Sequence, residues 1–492
     1  MMTEVRVHQY SEKKIKKLRL AAERGNAEAQ NKLGLCYAMG YGVKQDCRLG
    51  AEWYRKAAEQ GNAEGQNNLG VCYIGGRGVE RNYGEAVKWF RKSAEQGTAA
   101  AQNHLARCLN DGMGVDQDEV EAEKWFRKAA EQGHTGAQIS LSSCYTNDQG
   151  IVPDYEEAVR WLRIAAEQGD AVGQIALSLR YHEGIGVERN DGEAAKWARM
   201  AAEQGYAYAQ YFLGVLYYDG KGVVQDRTEA AAWFQKASAN GEEHAQTALG
   251  NCYLDGVGVK SNPQEAAKWF RMAAEQGFPP AMERMGYVYE YGKGVSQDTL
   301  VAAIWYGRAG HRDNPCSYQK MNWLRIAAEY EIRIRRGKAS RGNVQSQYVM
   351  GLCCSEGVGT EHDPVQAFEW FLLAAEQGHP QAQYHLGECY YSGIGTERNV
   401  SVAIEWYRKA ALQGEPKAQY EMGVFYDEGE EVEQDSKQAE QWFQKAATQG
   451  FSLHPDSVND IFPAKTAGKG TVSFEEVFCL AQSVMRRSAR RC

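Results

Sequence analysis

The stretch Ala38–Asp46, AMGYGVKQD, decides how this chain is read. Gly-x-Gly followed by a basic residue is one form of phosphate-cradling loop. It is equally the chemistry of a tight reversal between two helices. A phosphate loop is singular and follows a strand. This one recurs: nine of eleven similar units carry Gly-x-Gly at the same place, and no strand pattern precedes any of them. The stretch is therefore a turn that reverses the chain and starts a second helix.

Working outward, a helix-ending Ala-Glu-Gln-Gly, or a close variant, closes on Gly25, Gly61, Gly97, Gly133, Gly169, Gly205, Gly241 and Gly277, always 36 residues apart. The beat slips, then resumes at Gly342, Gly378, Gly414 and Gly450. Tryptophan keeps the same time from Trp53 to Trp305 and again at Trp370, Trp406 and Trp442. Within residues 61–96 the apolar positions of each half fall at helical spacing, as in Gly65, Leu69, Cys72 and then Ala86, Trp89, Phe90 and Ala94. Each half makes about 13 residues, or roughly 20 Å, of helix. Two such helices on a short loop form an antiparallel hairpin.

The loop residues support this. Asp46, Asn82, Asp118, Asp154, Asn190 and their counterparts up to Asp435 stand where a helix N-cap is needed. Glu or Gln three residues on, as in Glu85 and Glu121, gives the capping-box spacing. The closing glycines suit left-handed C-terminal caps. Small residues recur at one place on each helix, and the large Trp and Tyr are expected to fill the space between. No unit can bury its apolar faces alone, so the units must stack.

Bulk properties agree. A chain of 492 residues is too long for one core. Its apolar content of 43% argues against disorder, and a formal charge of −8 lacks the basic footprint of a nucleic-acid binder. There is no 18-residue apolar run. The N-terminal stretch lacks the apolar core of a signal peptide, and Cys492 in last place is not a prenylation box. A soluble, cytoplasmic protein without an integral membrane segment is expected. Neither His-Glu-x-x-His, Gly-x-Ser-x-Gly nor Cys-x-x-Cys occurs, and the histidines are scattered. No catalytic residue, metal ligand or cofactor is expected.

The pattern Ala-x-Ala-Gln-x-x-Leu-Gly-x-x-Tyr, Gly-x-Gly-Val, Ala-x-x-Trp-Tyr/Phe-x-Lys-Ala-Ala resembles the Sel-one-like repeat (SLR) family. Ala27, Ala29, Gln30, Leu33, Gly34, Tyr37, Gly40, Gly42, Val43, Trp53, Tyr54, Lys56 and Ala57 carry it in the first unit. The resemblance implies an all-α fold: a right-handed α-solenoid, or superhelix, of antiparallel helix pairs in 36-residue repeats, related to tetratricopeptide arrays. It implies a non-catalytic protein–protein interaction scaffold or adaptor that binds one or more proteins or peptides along its concave face. Two alternatives stand beside it: a membrane-recruited regulator using basic ends, and a cell-wall or β-lactam hydrolase as suggested for cysteine-rich relatives. Those relatives staple each unit with a cysteine pair. Here Cys36, Cys72, Cys108, Cys144, Cys252, Cys353 and Cys389 occur once per unit and read as free, buried thiols.

The expected organisation is an N-terminal capping helix at 1–24, a first array of eight repeats at 25–310, a basic helical insertion at 311–341, a second array of three repeats at 342–449, and a linker with an amphipathic helix at 450–492. If the solenoid curves as its relatives do, three first-helix positions per unit face the groove. In the later units these collect Tyr211, Tyr218, Tyr287, Tyr348, Tyr384, Tyr391 and Tyr420, rigid contacts with polar tips that suit peptide recognition. Arg333, Arg335, Arg336, Lys338 and Arg341 form a second candidate, a basic patch for an acidic peptide or phosphate group. A solvated helix is its plainer explanation.

Overall fold

The computed structural model describes residues 12–146, 152–310, 331–429 and 431–451. Every regular element among them is helical, and no strand occurs. The insertion up to residue 330, with Trp323, and the C-terminal amphipathic helix with its arginines lie outside the described residues.

A short helix, Glu12–Glu23, precedes eleven helix pairs. Repeat 1 pairs Ala27–Met39 with Cys47–Glu59, and repeat 2 pairs Ala63–Gly75 with Tyr83–Glu95. The caps explain the boundaries. Asn82 accepts a hydrogen bond from the Glu85 N–H and so satisfies an orphan donor of the second helix. The capping box is only half built. The Asn82 N–H goes to the Tyr73 carbonyl, and the Glu85 carboxylate takes Lys88 at 2.6 Å. Between repeats, Gly61 has φ +85°; its N–H reaches the Ala58 carbonyl and the Asn62 N–H reaches that of Ala57, a Schellman stop.

The core of a repeat is a ring on a bare backbone. Phe270, on the second helix of repeat 7 (Pro263–Glu275), is fully buried against Gly250 on the first helix (Glu243–Asp255), where a Cβ would come within 2.5 Å of the ring. The expectation that tryptophan and tyrosine fill the space between helices holds for Tyr54, Tyr306 and Tyr407, which take the same place as Phe270, but not for most of the tryptophans. Trp53, Trp89 and Trp125 are half-buried beneath the ammonium groups of Lys56, Lys92 and Lys128, at 4.0, 4.3 and 4.0 Å. The aromatic residue that follows each of them, such as Phe90 or Phe126, is the one in the core.

A polar thread joins successive repeats. Gln383 is 5% exposed; its Nε2 donates to the Ala375 carbonyl at 3.1 Å, and its Oε1 accepts from Gln413 at 2.7 Å. Gln66, Gln102, Gln138, Gln174, Gln347 and Gln419 repeat the arrangement. Each ties the C-terminal end of one second helix to the next first helix. Gln383→Leu removes both bonds and is expected to cost about 1–3 kcal/mol in urea unfolding.

Two compact units divide the chain, one ending at Gln204 and the other beginning at Gly205. The second unit curls on itself. The Gly450 carbonyl, at the end of repeat 11, accepts from Gln246 at 2.8 Å and Gln276 at 3.3 Å, both in repeat 7. Leu300 and Ile304 of repeat 8 share one core with Ile332, Ala339, Val349 and Met350, so helices on either side of the insertion pack together.

Candidate functional site

The tyrosines occupy first helices at their fifth, ninth and twelfth positions. Tyr211 and Tyr218 lie on Ala207–Asp219, Tyr287 on Pro279–Tyr291, Tyr348 on Val344–Glu356, Tyr384 and Tyr391 on Pro380–Ser392, and Tyr420 on Pro416–Glu428. The structure does not bring all seven together. Tyr211 packs with Phe234 and His244, Tyr218 lies under Arg227, and Tyr287 meets Tyr291. The remaining four belong to repeats 9–11. Tyr348 stacks on His379 at 4.5 Å and His385 at 6.0 Å, Tyr384 meets His385 and Tyr407, and Tyr391 meets Phe425. Tyr420 packs on Phe443 and Phe451. Exposure separates them further: Tyr218 and Tyr391 are 37% and 36% exposed, whereas Tyr384 and Tyr420 are buried.

Carboxylates accompany the aromatic residues, and the sequence reading passed over them. The Tyr384 hydroxyl donates to Glu388 Oε1 at 2.8 Å, and His385 Nδ1 lies 2.7 Å from Glu388 Oε2. Burial opposes ionisation of Glu388, yet these bonds hold its carboxyl below its ordinary range. Glu421 has no such support. Burial, then the Glu388 charge, pushes it up to about 7. Burial, then Glu275, does the same to Glu415, also to about 7. Glu275 of repeat 7 in turn feels Lys417 of repeat 11 and His385 of repeat 10, which follows from the curl of this unit. Had the sixth and ninth positions of the first helices been compared for charge, Glu388 and Glu421 would have stood out beside the tyrosines.

The basic patch is partly used up. Arg335 is bound by Asp298 at 2.8 Å and Glu331 at 3.2 Å. Arg333, Arg336, Lys338 and Arg341 are exposed, with Arg336 donating to Gln366 at 3.3 Å. The thiols are poor nucleophiles: burial pushes Cys36 up to about 11 and Cys72 and Cys353 up to about 12. Cys36, Cys72, Cys108, Cys144, Cys252, Cys353 and Cys389 are free. Among the described residues one set of side chains has the makings of a metal site, Glu242, Glu243 and His244. No described helix is long and apolar enough to cross a membrane.

Comparison with known proteins returns the same repeat. The Sel1 repeat model matches eleven consecutive segments, 27–62, 63–98, 99–134, 135–170, 171–206, 207–242, 243–278, 279–314, 344–379, 380–415 and 416–451. Among solved structures, c5321, a protective antigen present in uropathogenic Escherichia coli strains and displaying an SLR fold, is 32% identical over 93% of this chain and 99% of its own, with a TM-score of 0.55. A Sel1 repeat protein from Oxalobacter formigenes is 33% identical over 63% of this chain and 89% of its own, with a TM-score of 0.49. No protein of curated function matches the chain. Stacked helix pairs, matched by one family model over residues 27–314 and 344–451, make this chain a member of the Sel1 repeat family, an α-solenoid.

Proposed function

We propose that the chain is a non-catalytic scaffold that binds partner proteins or peptides along the inner, first-helix face of its second unit. Sel1 repeat proteins are generally protein-interaction scaffolds, and the family is generally non-catalytic. The observation that carries the proposal is the pairing of aromatic rings with polar tips on one run of first helices in repeats 9–11. Tyr348 and Tyr384 sit beside His385, and Tyr384 beside Glu388, which hold fixed hydrogen-bonding groups next to rigid apolar area; Tyr391, against Phe425, lies on the same helix as Tyr384. Free backbone groups of an extended peptide would find acceptors and donors there without disturbing the core.

The test uses the exposed member of the set. Tyr391→Ala removes surface without emptying a cavity, because the ring is more than a third exposed. Affinity capture from cells, quantified against the parent, is expected to lose its specific partners by at least about tenfold, the loss of one contact worth 1.4 kcal/mol or more. Tyr218→Ala, on a separate group of residues, should leave that set of partners in place. Partners that survive Tyr391→Ala, and also Arg398→Ala, which removes the guanidinium lying over the Tyr391 ring, would refute the inner-face reading.

A further inference from the structure

We propose that Glu242, Glu243 and His244, at the start of the first helix of repeat 7, form a binding site for a first-row divalent cation such as zinc. The three ligand atoms lie within 4.8 Å of one another. His244 Nδ1 is 2.7 Å from Glu242 Oε1 and 3.8 Å from Glu243 Oε1. Zinc bonds of about 2.0–2.2 Å place neighbouring ligand atoms of a tetrahedral site about 3.4 Å apart. The two observed spacings bracket that value, so small rotamer adjustments suffice.

Two further features favour a cation over a simple ion pair. The first is burial. The side chains of Glu242 and His244 are 4% and 7% exposed and that of Glu243 is 17% exposed. The imidazole is roofed by Phe278 at 4.5 Å, Tyr211 at 5.4 Å and Tyr208 at 6.3 Å, none of which carries a compensating charge. Over these three side chains, two carboxylates and a protonated imidazole sum to one negative charge. Two carboxylates, a neutral imidazole and a divalent ion sum to zero, which is the cheaper set away from water.

The second is what the helix gives up. Asn26, Asn62 and Asn343 stand at the equivalent place in repeats 1, 2 and 9, and each side chain caps its helix by accepting from the N–H three residues on. Thr98, Tyr206, Phe278 and Glu415 also make no such bond; Glu242 makes none and differs in that its carboxylate turns to His244. One nitrogen and two oxygens are a donor set that suits zinc, cobalt or manganese. The proton between Glu242 and His244 is what the ion would displace.

The test is a cobalt titration of the full chain after chelator treatment, read by visible ligand-field absorption and reversed with zinc. Nitrogen and oxygen ligands give these bands without the near-ultraviolet thiolate charge transfer that the many cysteines would produce. Two variants accompany the parent, His244→Gln and Glu242→Asn. The second restores the cap used in repeats 1, 2 and 9, so it should melt no lower than the parent in chelator. Expected are saturable bands in the parent, lost in both variants with a fall in affinity of at least about 100-fold, beyond the cost of an outer-shell partner. No bands at millimolar cobalt, bands dominated by thiolate charge transfer, or equal binding by parent and Glu242→Asn would each overturn the proposal.

Discussion

Gly258→Ala is expected to destabilise the second unit by about 3–5 kcal/mol, a loss at the upper end of what single substitutions cause. Gly258 is the second glycine of the Gly-x-Gly turn in repeat 7, with φ +72°. A Cβ there would run into the carbonyl of Arg227, the first residue of the second helix of repeat 6, Arg227–Ala239. The turn of each repeat is thus seated on the preceding repeat, and a methyl group must push the two apart. Gly256, the first glycine, has φ +71° and a milder contact, Ser261 Cβ at 3.3 Å, which a shift of a few tenths of an ångström relieves. Gly256→Ala should cost only the left-handed strain, about 1–2 kcal/mol. Equilibrium unfolding of both variants separates the two effects. Equal losses would mean that the turns are not in contact with the repeats before them.

The second large effect is on pH. Folded Glu415 and Glu421 keep their protons up to about pH 7, against an ordinary value of 4.5. Between those values the folded state binds more protons than the unfolded chain, so stability falls as pH rises through that window and is lowest above it. Glu415 is 9% exposed and faces Glu275, Arg271 and Lys417; its share is about 3 kcal/mol. Glu421, half-buried and facing Glu388, Glu428 and Lys417, contributes less because solvent screens it. Denaturant unfolding of parent and Glu415→Gln/Glu421→Gln at pH 5 and pH 8 checks this. The parent should lose about 3 kcal/mol relative to the variant on going to the higher pH. A difference of the opposite sign would show that these carboxyls are not crowded on the inner face. The same pH range is then expected to tune partner binding, since Glu421 acts on Tyr384 and Glu415 on Tyr348.

What the sequence disclosed and what it hid follow from the range of the interactions. Helix boundaries, caps and stacking depend on neighbours within one repeat, and a motif copied eleven times exposes them: Asn82 and Gly61 are each legible from spacing alone. The inner face is different. Its character depends on residues about 100 or more positions apart, such as Glu275 with Lys417 or Gln246 with Gly450, which meet only because the second unit curls. No periodicity announces that. The tyrosine list was a list of positions; the packing that divides it into buried Tyr384 and Tyr420 and exposed Tyr218 and Tyr391 comes from what covers each helix. Arg335 read as part of a patch because its partner Asp298 is 37 residues away. Arg180 stands where other repeats carry cysteine, is 4% exposed, and its Nη2 has no hydrogen-bond partner; nothing in the structure explains it.

The central claim is that each repeat is held by its immediate neighbours through one recurring interface. Deleting residues 63–98, one whole repeat, tests it most directly. The second helix of repeat 1 would then meet Ala99–Asp111, with Leu105 taking the place of Leu69, Gln102 that of Gln66 and Cys108 that of Cys72. Circular dichroism with denaturant unfolding should show unchanged helicity per residue and a cooperative transition, while deletion of residues 63–80, half a repeat, should uncouple repeat 1 from repeat 3, lower the helicity of that end and split the transition. Loss of helicity or cooperativity in the whole-repeat deletion would contradict the account.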